Sequence, residues 1–247
     1  MVKEGCLHGI DEVYGYHNVP NFEEGDVRVV EGPIMAKVTT VKIRVVGQGG
    51  HGSVPHRVKD VISAGAAILN ALHTVKSRCV DSKENFIFTL TQFTSGFTYN
   101  VFPDEAFMQG TIRTYNDKTL DVVKAKIRLL AGNTALAMGC EAQIELDDMY
   151  PATVNHKKET EHVIRIATAS FGADRVKGDD LPLTASEDFS YFLEERPGCF
   201  YMLGIKRPGE NYSLHTSHYD YNDSMIASGG LLFVRIVEDR LQAKIFT

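Results

Sequence analysis

The chain has 247 residues, a net charge of -6 and no basic block, which argues against nucleic acid and an anionic membrane surface as partners. No apolar run reaches the ~18 residues that a membrane span requires, and Met1-Val2-Lys3-Glu4-Gly5-Cys6 lacks the apolar core of a secretory leader. Cys6, Cys79, Cys140 and Cys199 are scattered without a CxxC pair, so neither a zinc ribbon nor a disulfide framework is expected, and a reducing, cytoplasmic setting is the default.

Residues 1–36 do not read as a self-contained beginning. The run Val13-Tyr14-Gly15-Tyr16-His17-Asn18-Val19-Pro20 reads as a short buried strand ending at a histidine. His17 there admits two roles, a ligand at a site or a hydrogen-bonded structural residue. A regular pattern then begins. A strand over 38–46 leads into Gly47-Gln48-Gly49-Gly50-His51-Gly52-Ser53-Val54-Pro55-His56, a loop with four glycines, a proline and two imidazoles. Glycine at this density lets the backbone approach a ligand closely, and the imidazoles are suited to donate to an oxyanion, shuttle a proton or bind metal. An ordinary strand-to-helix turn with surface histidines is the alternative.

A helix is expected over 60–78, with Asp60 as cap and Ile62, Ala66, Leu69 and Val75 on its apolar face. Strands follow over 86–93, where Phe86, Phe88 and Leu90 share a face, and over 106–115. In the latter Met108 and Ile112 point one way, and Gln109, Thr111 and Arg113 the other. Asp117 is the expected cap of the next helix, whose buried stripe is Leu120, Val123, Ile127 and Leu130, with Gly139 closing it. A last strand covers 142–146. This strand-helix-strand-strand-helix-strand order is the ferredoxin-like, split βαβ arrangement, an antiparallel sheet with two helices on one face. Its free face or edge calls for a cover, hence self-association.

After Pro151 the pattern changes again. A helix is expected over 159–171, stopped by Gly172, and Ser186 is a candidate cap for a short helix through Leu193, with Glu187 and Asp188 in its first turn. Cys199 to Ile205 is an apolar run, bounded by Gly198 and by Lys206-Arg207-Pro208-Gly209, that reads as a buried strand. The polar loop Ser213-Leu214-His215-Thr216-Ser217-His218-Tyr219-Asp220 and a helix over 224–242 end the chain. A His- and Asp-rich loop after a buried strand lies where α/β sites form, although His215 alone is as readily structural as functional. The fold class is therefore α/β, in three stretches: 1–36 and 151–247 as pieces of one catalytic domain, and 37–150 as an inserted ferredoxin-like lid and dimerisation domain.

Five segments in order, EGCLHGIDEVYGYHNVP, GQGGHGSVPH, YNVFPDEAFMQGTIRTY, ASEDFSYF and SLHTSHYDYND, resemble the aminoacylase/carboxypeptidase-type metallopeptidase family. The nearest branch holds hippurate hydrolase, N-acyl-amino-acid deacylases and auxin-conjugate hydrolases. The resemblance implies an α/β domain binding two divalent metal ions, zinc or manganese, a lid that forms a homodimer, and an N-acyl amino acid substrate. It makes His17 and His215 metal ligands, His51 the catalytic donor to the tetrahedral oxyanion, commonly across the dimer interface, and Asn100 and Arg113 the residues that hold the substrate carboxylate. The family's Cys-Gly-His-Asp ligand motif and its Glu-Glu pair, which includes the general base, are not matched here. That implies either a polypeptide supplying the missing half, with metal-dependent amide hydrolysis by the completed site, or a non-catalytic remnant serving dimerisation or binding, without metal of its own.

Overall fold

The structure, a computed structural model, describes residues 1–207, 209 and 213–245, so that Pro208 of the turn expected after the last apolar strand lies outside the described residues. The leading segment forms β1 (Val13–Val19), β2 (Val27–Arg28) and β3 (Gly32–Met35). The middle forms β4 (Lys37–Val46), β5 (Gly50–His51), α1 (Val61–Arg78), β6 (Phe86–Ser95), β7 (Val101–Phe102), β8 (Glu105–Thr114), α2 (Asp117–Ala137) and β9 (Glu141–Tyr150). The closing segment forms β10 (Thr153–Asn155), α3 (Lys157–Phe171), β11 (Val176–Lys177), α4 (Ser190–Glu195), β12 (Gly198–Gly204) and α5 (Ile226–Leu241). These elements make two compact units, Met1–Ala36 with Ala152–Thr247, and Lys37–Pro151.

In the first unit a mixed sheet runs in the order β1-β12-β2-β11, with β1 parallel to β12 and β12 antiparallel to β2. Its centre is β12, every residue of which is buried. Alternation along that strand feeds two cores: Cys199, Tyr201 and Leu203 pack with Val163 of α3 and Leu232 of α5, whereas Phe200 and Met202 pack with Ile34 and Leu193. Each such fully buried side chain contributes roughly 1.5–3 kcal/mol by leaving water. The expected buried strand at 13–20 is instead mostly half-buried, because β1 has β12 on one side only and forms the end of the sheet.

The second unit is the expected ferredoxin-like arrangement, an antiparallel sheet in the order β6-β8-β4-β9. Val41, Ile43 and Val45 of β4 and Ala106, Met108 and Ile112 of β8 meet Ile68 and Leu72 of α1 and Val123 and Ile127 of α2. The intervening residues, Lys42 and Arg44 among them, are exposed and pair with acidic groups of neighbouring strands.

Three local expectations are corrected. On α1 the buried stripe is Val61, Ala64, Gly65, Ile68, Leu72 and Val75, and Ile62 is 44 % exposed. Counting the apolar face from Ile62 misses that Val61 is the first helical residue and the one turned inward. The cap of α2 is Asn116, whose side chain accepts from Thr119 N, while Asp117 inside the helix pairs with Lys37. Helix α4 begins at Ser190, after a turn in which Ser190 Oγ donates to Glu187 O, so Ser186 lies four residues ahead of its start and does not cap it.

Candidate functional site

In the second unit the glycine loop is clamped before it reaches its histidine. Gly47 N donates to Asp104 O and Gly49 N to Asp104 Oδ1, at 2.9 and 2.8 Å. A Cβ on Gly47 would lie 2.3 Å from Lys59 O, and one on Gly49 would lie 2.3 Å from Phe102 O, so glycine is required at both. The chain then forms the β5–β7 ladder, which sets His51 opposite Val101, and Gly52 N donates to Asn100 O at 2.8 Å. Thus the fold brings His51 and Asn100 to one exposed corner.

The His51 ring has a defined hydrogen-bonding state. Ser53 N approaches Nδ1 at 3.2 Å, with Ser53 Oγ 2.8 Å from the same atom. An amide N–H only donates, so Nδ1 accepts and the neutral ring carries its proton on Nε2. The Asn100 Oδ1 accepts from Thr98 Oγ1 at 3.2 Å, which leaves the NH2 end as the one for a ligand. Arg113 is not part of this corner. It stands half-buried on β8 opposite Val38 and Ile87, on the face away from Ile112. Glu105, next to the clamp at Asp104, begins the same strand, ~26 Å away at the usual rise per residue.

In the first unit His17 lies in β1 opposite Met202, two residues before the strand ends at Val19. Its Nδ1 lies 2.6 Å from Asn18 O, an acceptor, so Nδ1 carries the proton and Nε2 presents a lone pair. A histidine that binds metal is normally held in this way by a backbone carbonyl. The Asn18 amide hydrogen-bonds Tyr219 Oη, tying the loop of His215 to the end of β1. His215 is exposed and takes a left-handed conformation, φ 62°, which few non-glycine residues adopt and which often marks functional loops.

Sequence reasoning left Glu187 without a role. Its carboxyl is pushed up by burial and by a hydrogen bond with Asp188, and the neighbouring His17 pulls it back down, so it lies within electrostatic reach of that ring. The signal available was the motif Ser186-Glu187-Asp188, without anything to aim it. Cys199, by contrast, is structural: burial pushes its thiol up to about 12, where it is no nucleophile at neutral pH. A 610 Å³ cavity beside α5, lined by Ser170, Leu231 and Asp239 among others, contains none of the predicted residues.

Among the described residues, no three His, Cys, Asp or Glu side chains gather closely enough to hold a metal ion. A two-metal centre needs bridging carboxylates besides histidines. The donor set among the described residues therefore does not by itself fit the metal pair that the family resemblance implies.

Residues 37–138 match the family profile described as a peptidase dimerisation domain. Nearly the whole chain is similar to proteins named as carboxypeptidases and amide hydrolases. It is 32 % identical over 234 residues to thermostable carboxypeptidase 1 of Saccharolobus solfataricus, a match covering 94 % of this chain and 58 % of that protein. It is 29 % identical to the hippurate hydrolase of Campylobacter jejuni, over 96 % of this chain and 61 % of that protein. Among solved structures, a protein of methicillin-resistant Staphylococcus aureus described as an aminohydrolase superposes with a TM-score of 0.88 at 29 % identity, over 97 % of this chain and 62 % of that one. A Bacillus subtilis protein described as a dinuclear metal-binding peptidase of the M20 family superposes with a TM-score of 0.79 at 23 % identity, over 98 % and 60 % of the two chains, a likeness of fold. The chain thus spans about three fifths of the length of these curated relatives.

Proposed function

We propose that this chain supplies part of an amidohydrolase site that cleaves the amide bond of an N-acyl amino acid. The observation that carries the reading is the opposite protonation of two imidazoles, Nε2–H in His51 and a bare Nε2 in His17. A ring that donates suits an oxyanion; a ring that offers a lone pair suits a metal ligand. In this reading His51 Nε2–H donates to the oxyanion that develops at the acyl carbonyl, an interaction worth on the order of 3 kcal/mol in the transition state. The Asn100 amide and the planar Arg113 guanidinium hold the substrate carboxylate. His17 and His215 each give one ligand toward zinc or manganese, and a further polypeptide or a further part of the protein supplies the remaining ligands and the general base. A cytoplasmic setting belongs to this reading and fits the four free cysteines; no described helix is long and apolar enough to cross a membrane.

The working form in this reading is a homodimer through the second unit. The domain's family description supports it, and so does the strand geometry. One copy holds Arg113 and His51 at opposite ends of β8, so a site that uses both draws them from two copies. The gathering of fewer than three ligands among the described residues favours a second reading, a dimerisation or binding protein without turnover of its own.

One experiment separates the two. The purified chain is loaded with zinc or manganese, and metal content and hydrolysis of N-acetyl and N-benzoyl amino acids are measured together. Two bound ions per chain with turnover support the hydrolase, and His51→Ala is then expected to lower kcat by about 100-fold while KM moves little. Equal losses in kcat and in substrate affinity overturn the oxyanion role of His51. Absence of both metal and turnover, in the purified chain and also in the chain recovered together with whatever co-purifies with it from its native source, supports the second reading.

A further inference from the structure

The mixed sheet of the first unit has two ends, and they are built differently. At one end β11 is two residues long and carries Lys177, whose ammonium lies 2.7 Å from Asp26. At the other end β1 is seven residues long, reads Val13-Tyr14-Gly15-Tyr16-His17-Asn18-Val19, and pairs with β12 in unbroken register. Val13 N donates to Pro197 O and Val19 O accepts from Ile205 N, so alternate residues from Val13 onward turn their backbone groups to β12. Tyr14, Tyr16 and Asn18 turn theirs to the open side. There, among the described residues, the backbone N–H and C=O of Tyr14 and Tyr16 have no hydrogen-bond partner. Edge strands are normally blunted by shortness, lysine, proline or a bulge, and β1 has none of these. An apolar flank adjoins this edge. On α5, Ile226, Val237 and Leu241 fall on one side of the helix and are 58, 41 and 68 % exposed. Val237 and Leu241 line, with Ile10, Glu12 and Tyr14, a 530 Å³ cavity beside β1.

We infer that the open edge of β1 and this flank of α5 form the docking surface for a separate polypeptide, which adds a β-strand to β1 and seats a helix against Val237 and Leu241. The inference rests on the reading that this chain supplies only part of a site, and goes beyond it by naming where the remainder attaches. An extended segment is the partner that a row of free N–H and C=O groups selects, because only a strand meets them at their own spacing. A strand added to a sheet needs its apolar face covered, and the cavity beside β1 leaves room for the covering helix. The occupant is a polypeptide of the kind that makes up the rest of the relatives: about two fifths of the length of the Saccharolobus and Staphylococcus proteins has no counterpart in this chain. Recognition comes from main-chain hydrogen bonds and burial of apolar surface, since β1 carries no lysine, arginine or acidic residue. The added strand lies about 4.8 Å from β1 and so brings its own side chains next to His17.

The test is binding, which needs neither metal nor turnover. The probe is the longest stretch of the Saccharolobus carboxypeptidase outside the match, produced as a separate polypeptide and titrated into the 247-residue chain. Calorimetry gives the dissociation constant, and amide hydrogen exchange followed by NMR reports on β1. Binding is expected to slow exchange at Tyr14, Tyr16 and Asn18 by about tenfold or more. The double variant Val237→Glu/Leu241→Glu, altered at exposed positions and checked for its fold by circular dichroism, is expected to bind at least about tenfold more weakly, because it buries charge on docking. Binding that leaves the three amides unprotected, or that is unchanged in the double variant, overturns this docking surface and leaves the partial-site reading in place. No binding also overturns the surface, and the partial-site reading is then decided by the metal and turnover measurements alone. Protection of the three amides that rises with the concentration of the chain by itself overturns it too, and gives the edge to a second copy.

Discussion

His17 and His51 are the same residue type made into opposite tools by one neighbour each. A backbone carbonyl holds the proton on Nδ1 of His17, and a backbone amide keeps it off Nδ1 of His51. Long-range proton–nitrogen NMR near pH 8 should show His17 as the Nδ1–H form and His51 as the Nε2–H form; two rings in the same form would remove the basis for their division of labour. A third histidine has a consequence for stability. His162 on α3 is 6 % exposed, between the Tyr14 hydroxyl and Asp239. Burial lowers its pKa below the ordinary 6.5, with Arg165 acting in the same sense and Asp239 opposing it. As pH falls, the unfolded ring is protonated before the folded one, so this residue destabilises the fold from about pH 6.5 downward until the folded ring also takes its proton. Melting temperature between pH 8 and 5 should therefore decline in the wild-type chain and decline less in His162→Gln. At this scale the motifs singled out His17, His51 and Asn100 as candidates; the two protonation states hang on backbone groups one and two residues away, whose geometry the sequence does not specify, and the electrostatic reach of Glu187 to His17 depends on contact between distant segments.

Helix starts show how local chemistry is read well or misread by one position. Asp60 was legible because the helix begins directly after it, and its carboxylate accepts from Ile62 N and Ser63 N. At α2 two capping types stand side by side, and Asn116 takes the position while Asp117 turns to Lys37. Replacing the true cap leaves backbone N–H groups unsatisfied, so Asn116→Ala should cost about 1 kcal/mol. Asp117→Ala loses only an exposed ion pair and should cost less than about half of that. Urea unfolding of the two variants checks the order, and a larger loss in Asp117→Ala would reverse the assignment. Strands proved easier to read than helix faces. The run of apolar residues in β12 announces burial on both sides, and alternation in β8 announces one buried face. The face of α1 escaped because Val61 and Ile62 are both apolar, and only packing against the sheet decides which of them turns inward.

At the scale of the whole molecule, the antiparallel sheet of the second unit was legible because its six elements carry clean periodicity. The mixed sheet of the first was not, since β2 and β11 are two residues each and pair across more than 140 residues of intervening chain. The same scale decides how a site that uses both His51 and Arg113 is built, because β8 separates them within a copy. If the substrate carboxylate is held by Arg113 of one copy and the oxyanion by His51 of the other, His51→Ala and Arg113→Ala are each nearly inactive alone but complement one another when mixed. Each mixed dimer then has one site with both residues intact and one with neither. Random reassortment of equal amounts places half the dimers in that state, so hydrolysis should recover to roughly a quarter of the wild-type rate, a signature of sites built between copies in a symmetric dimer. The measurement is turnover of an N-acyl amino acid after dissociation and reassembly of the two variants together. Activity that stays at the level of the single variants would place both residues in a site formed within one copy, and would require the β5–β7 corner to fold back along the sheet by most of the length of β8.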